Sequence, residues 1–150
     1  LKLIKQAAQA RLMLETFCAV EISKTITQAQ LEELYTNEER ENELLCLEGH
    51  DVDPALIPNL SLERLISSFL ANPLLHDFHR DIEDTWRTAF HNIDAVPLAI
   101  STRHDNHIEI IQAIESRNET RIRKAIKTHL MSTITSIDKV LVDNVNEKKK

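Results

Sequence analysis

Apolar residues recur along this chain at spacings of three and four, the mark of helices that bury one face. Leu3, Ile4, Ala7, Ala10, Leu14, Cys18 and Ile22, with Arg11 on the same spacing, predict a first helix over about 2–23. Leu31, Leu34, Tyr35, Leu44 and Leu45 predict a second over about 28–47, with Thr27 as its N-cap. Gly49-His50-Asp51 ends it. Asp53-Pro54 supplies a cap and a first-position proline, Pro58 interrupts the turn of helix begun there, and a third helix is predicted over about 59–71. Asn72-Pro73 breaks the pattern. A fourth helix then runs through Leu75, Phe78, Ile82, Trp86 and Phe90 to about Asn92. Asp94 and Pro97 start a fifth, about 96–116, and Glu119 opens a sixth, about 119–143, before a charged tail at 144–150. With no internal repeat, the pattern describes an all-α, antiparallel helical bundle of about six to seven helices.

Composition sharpens this reading. One Gly and four Pro in 150 residues are too few for the frequent tight turns of a β fold. The length suits one domain with a real core. Cys18 and Cys46 both fall in helical patterns and read as small buried hydrophobes of a reduced, cytoplasmic protein. No stretch approaches the roughly 20 apolar residues of a membrane span. A net charge of −6 argues against the chain gripping nucleic acid by itself. The chain opens at Leu1, already inside a helical pattern, and is expected to be a fragment of something longer.

The most informative residues are His107 and His129. Each lies on the apolar stripe of its helix, His107 with Ile110, Ile111 and Ile114, and His129 with Ile122, Ala125, Ile126 and Thr133. The break at Ser116-Arg117-Asn118 makes these two helices an antiparallel pair, so both imidazoles point into one core. Neutral imidazole is the commonest metal ligand, and facing bundle helices are a standard place to build a site. A hydrogen-bonded pair of core histidines without metal is the competing reading.

The run His107-x-Glu109-Ile110-Ile111-x-Ala113-Ile114-Glu115-x2-Asn118-x6-Ala125-x3-His129-Leu130 resembles the closing helices of the FCD domain. That is the effector-binding, dimerising C-terminal domain of the FadR subfamily of GntR transcriptional regulators. Arg11-Leu12-Met13-Leu14-Glu15 resembles the family's opening R-x-x-[LI]-E helix, and Ala71-Asn72-Pro73-Leu74-Leu75 its G-N-P-L-L junction. The matches stand in order over about 8–131. The resemblance implies a domain at 1–143 that binds a small metabolite, often a carboxylate and often through a metal. It also implies a homodimer, and a winged helix-turn-helix domain before Leu1 through which alone DNA would be read.

The family's metal site combines D-x3-H on the helix before the junction with two later histidines. Counted back from Asn72, those first positions are Asn59 and Glu63, while the later histidines are His107 and His129. The resemblance therefore implies Glu63, His107 and His129 as ligands, with Asn59 bonding weakly or through water. Such a set suits zinc, manganese, nickel or iron(II) and leaves positions open for an effector. Arg11, Asn59, Glu63, His107 and His129 together suggest an organic acid as effector. A fatty acyl ligand is the alternative for a pocket without metal.

Plainer readings stand beside these. Glu63 could be a solvated helix acid, since Leu62, Leu65, Ile66 and Phe69 already define a core face. Arg11 could pair with a ligand carboxylate or with a helix acid at the rim. His76 and His79 read as a solvated pair, Trp86 and Phe90 as core, and Glu38 to Glu43 as a solvated charged face. Three functions fit: a ligand-sensing regulatory domain, a metal-dependent enzyme using Glu63, His107 and His129, and a purely structural dimerisation bundle. The enzyme reading lacks an identifiable general base or nucleophile, and no H-E-x-x-H or phosphate-loop pattern occurs. Sensing is favoured.

Overall fold

A computed structural model describes residues 2–47, 61–91 and 103–147. Among them are six helices: α1 (Lys2–Ser23), α2 (Gln28–Leu47), α3 (Leu62–Ser68), α4 (Pro73–His91), α5 (Arg103–Glu115) and α6 (Glu119–Glu147). The first two coincide with the sequence pattern. The third is shorter than expected, and the last runs four residues beyond the predicted end at 143. Asn59, the caps at Asp53 and Asp94, and the start of the predicted fifth helix lie outside the described residues.

Local chemistry sets the ends. Thr27 and Gln30 form a reciprocal cap: Gln30 N donates to Thr27 Oγ1 at 3.2 Å and Thr27 N donates to Gln30 Oε1 at 3.0 Å. Ser61 caps α3 by accepting from Arg64 N. Asn72 does more than break the chain. Its Oδ1 accepts from Leu74 N at 3.2 Å and Leu75 N at 3.4 Å, with Pro73 at the first helical position. Asn118 caps α6 through Arg121 N at 3.0 Å. Arg117, in the turn before it, takes the left-handed conformation (φ 54°) that glycine adopts more cheaply.

Helix α1 is central, packing against α3, α4, α5 and α6. The α5–α6 hairpin supplies the densest apolar layer, where Ile110, Ile111, Ile114, Ile122 and Ile126 are fully buried with Leu34 and Leu62. A smaller cluster of Ile4, Ala7, Ala8 and Trp86, with Ile134 against it, seals the α1–α4 end. Cys18 is in the main core, and burial pushes its thiol up to about 11, which leaves it inert near neutrality. No helix among the described residues is long and apolar enough to cross a membrane.

Candidate metal and effector site

Between these layers lies an interior that is charged. Arg11, Glu15, Glu38, Glu41, Glu63, His79, Glu83, His107 and His129 are all buried. Helical periodicity puts them there. On α1, Arg11 and Glu15 continue the inward stripe of Ile4, Ala7, Cys18 and Ile22. On α2, Glu38 and Glu41 continue the stripe of Leu31 and Leu34. On α5 and α6, His107 and His129 stand at one level of the hairpin, with ring centroids 4.7 Å apart and planes tilted by 50°.

Glu63, in the first turn of α3, faces both histidines. Its Oε1 is 3.1 Å from His129 Nε2 and 3.7 Å from His107 Nε2, and it also accepts from Arg11 Nη2 at 3.0 Å. Its Oε2 accepts from Ser61 Oγ at 3.1 Å. Burial would raise the Glu63 carboxyl. The hydrogen bond from His129, together with His107 and the Arg11 guanidinium, instead holds it well below the usual carboxylate range. Burial depresses His107 strongly, so its ring is neutral and a competent ligand.

Arg11 is not at the rim. Its Nε donates to Glu15 at 2.5 Å and its guanidinium lies 5.0 Å from the Trp86 ring centroid. Burial opposes its charge, but Glu15 and Glu63 keep it protonated. Beyond Glu15 lies His79, 1% exposed, with Nε2 3.6 Å from Glu15 Oε1. His79 is therefore not the solvated residue expected. Only His76 of that pair is near the surface, where it meets Ser67 Oγ at 3.3 Å.

The structure also overturns the reading of 38–43 as a solvated face. Glu39, Arg40 and Glu43 are exposed, but Glu38 and Glu41 point inward. Glu38 Oε2 is 2.6 Å from His107 Nδ1, and its Oε1 is 2.9 Å from His104 Nδ1. Arg103 Nη2 meets Glu41 Oε1 at 2.7 Å. Burial pushes the Glu38 carboxyl up to about 8, with Arg103 opposing.

Donor atoms of Glu63, His107 and His129 all lie within 4.8 Å of one another. His107 Nε2 and His129 Nδ1 are buried without a hydrogen-bond partner. The unpartnered His107 Nε2, beside an ionised Glu63 carboxylate that His129 Nε2 also meets, fits a divalent transition metal: the donors are two imidazoles and one anionic oxygen, in a buried site. Asn59, the fourth residue of the expected set, is outside the described residues. The groove of about 290 Å³ on the outer α1–α4 surface, lined by Leu3, Ala7, Ala10, Phe78, Asp81, Ile82 and Thr85, includes none of these side chains.

Sequence reasoning missed Glu15, Glu38, Glu41 and His79 as members of this interior. The signal was present: each sits on its helix's inward stripe. Its residue type argued the other way.

Searches of curated proteins and of solved structures return no significant match. A family model does match: that of the FCD domain, over residues 6–132, which covers α1 through the His129 turn of α6.

Proposed function

From the chain's membership of the FCD domain family, the regulatory effector-binding domains of GntR-type regulators, we propose that it senses a small organic acid through a divalent metal at Glu63, His107 and His129. The observation that carries this reading is the convergence of those three donors in a buried site, with His107 Nε2 left unpaired beside Glu63. Asn59 would complete the set weakly or through water. A divalent cation there would supply positive charge and open positions for carboxylate or hydroxyl oxygens.

The chain's own residues divide the remaining work. Glu63 contributes the anionic donor, and Ser61 and Arg11 fix its two oxygens. Arg11 is the nearest fixed cation to an effector carboxylate bound beside Glu63, and Glu15 holds its guanidinium in place. A bundle that served only to dimerise would gain from apolar residues at these positions, since buried ion pairs rarely outdo hydrophobic packing. Their burial thus favours a binding role over a structural one.

The reading is tested by metal analysis of protein purified without chelator, followed by melting with sugar acids, hydroxy acids and dicarboxylates. About one zinc, nickel or manganese per chain is expected. One acid should raise the melting temperature before chelation and not after; at 100 times its Kd it should add about 2.7 kcal/mol. Metal-free protein that no acid stabilises would refute the proposal.

We assign dimerisation to the outer face of α1 and α4. Leu3, Met13 and Phe17 on α1, and Leu74 and Phe78 on α4, are large apolar side chains left exposed, Phe78 by 67%. Leu3 and Phe78 also line the groove between the two helices. Large apolar side chains exposed on two neighbouring helices suit a second copy of the chain in a two-fold pair. That pairing would place two DNA-binding heads, carried before Leu1, on adjacent half-sites. Phe78→Asp should turn a dimer into a monomer in sedimentation at tens of micromolar, with the helical signal unchanged. A wild-type chain that sediments only as monomer would remove this assignment.

A further inference from the structure

His107 has neighbours on both of its nitrogens. Nε2 faces Glu63 at 3.7 Å and has no hydrogen-bond partner, while Nδ1 is 2.6 Å from Glu38 Oε2. An imidazole cannot set its own orientation; the partner on one nitrogen determines what the other presents. We propose that Glu38 is a positioning residue for this site: from α2 it holds His107 Nδ1, so that Nε2 is presented to Glu63 and His129. The inference rests on the metal reading above.

Glu38 is itself firmly placed. It is 2% exposed, on the α2 stripe that packs against α5, and its second oxygen is engaged by His104 Nδ1 at 2.9 Å. His104 and His107 are one helical turn apart, so a single carboxylate spans two rings of α5 and fixes the rotation of that helix against α2. A cation at Nε2 leaves the ring proton on Nδ1, where Glu38 Oε2 accepts it. That hydrogen bond raises the basicity of the ring and fixes its plane.

Glu38, Glu41 and His107 also approach one another closely enough to hold an ion of their own. Arg103, at 2.7 Å from Glu41, already supplies a cation there. A second metal ion would meet like charge, so this group serves His107 instead.

Cobalt(II) titration of the whole chain, followed by its visible absorption, tests the assignment. Glu38→Gln keeps the shape of the side chain and removes the charged acceptor. It should weaken cobalt affinity by about 10- to 100-fold while the helical signal of the metal-free protein stays that of wild type. In the cobalt-loaded wild type, the paramagnetically shifted His107 Nδ1–H should exchange slowly with solvent, and in E38Q quickly. His104→Ala, which leaves the bond to His107 intact, should keep the affinity within about threefold, as expected of a partner one step further out. Equal affinity of wild type and E38Q would overturn the role of Glu38 while leaving the metal reading intact. A wild type that takes up no cobalt would overturn both. Should E38Q fail to fold, the wild-type proton decides alone, because fast exchange there contradicts a buried Nδ1–H···Glu38 bond.

Discussion

Exchanging His107 for alanine is expected to lower metal affinity by more than about 100-fold, beyond the loss of any outer partner. His129→Ala should do the same. Both rings belong to the only donor triad among the described residues that includes two imidazoles. A carboxylate with one imidazole cannot hold a transition metal against water and buffer at ordinary concentrations. Effector stabilisation should disappear in the same variants, because the acid's oxygens would have lost their cation. The check is competition against a chromophoric zinc chelator, alongside melting with and without the acid. Retained affinity in both single variants would show that the metal sits elsewhere.

The largest effect on stability is expected from Arg11→Ala, at roughly 3–5 kcal/mol in urea unfolding of the metal-free protein. The change strands two carboxylates, Glu15 and Glu63, whose side chains are 4% and 6% exposed. Both would lose the guanidinium that makes their charge tolerable, and Trp86 would lose its cationic neighbour. A loss below about 1 kcal/mol would mean that the pairing is a minor term.

The same interior makes stability depend on pH, with a sign for each group. Glu63 ionises more readily folded than unfolded, so its contribution is present above about pH 4.5 and lost as pH falls below that. His107 is held well below 6.5, and the unfolded chain takes up a proton there that the fold excludes. Its contribution is therefore lost as pH falls beneath 6.5. Glu38 acts in the opposite sense. Raised from 4.5 to about 8, it favours the fold at low pH, and that contribution disappears as pH rises towards 8. The metal-free protein should thus weaken on both sides of a mildly acidic optimum. Glu38→Gln should flatten the alkaline limb and leave the acid one.

Fold and site were legible to different degrees, for physical reasons. Helix α2 begins where its Thr27 cap says, because that signal is local. Glu63, His107 and His129 were legible from the resemblance and from the inward stripes that carry the histidines. Glu38 and Glu41 were not. They share a stripe with Leu31 and Leu34, yet an acid on a helix is ordinarily solvated, and the side chains that meet their oxygens come from α5, some 65 residues later. His79 was hidden in the same way, its neighbour Glu15 lying on another helix. Phe78 is the converse case: it marks the apolar pattern of its helix yet is exposed, because residue type cannot distinguish a core from a surface that another molecule covers.

One property of α1 bears on how such a domain would transmit a signal. Its 22 residues form an unbroken rod about 33 Å long. Arg11 and Glu15 project from one side of it, Leu3 and Phe17 from the other. A rod has no joint at which those two sides could move separately. Tilting it by about 5° around its midpoint displaces each end by roughly 1.5 Å, which is the scale on which packed subunits change register. Whatever re-seats the guanidinium inside the bundle is therefore felt on the outside of the same helix, with no chain of intermediate residues needed to carry it.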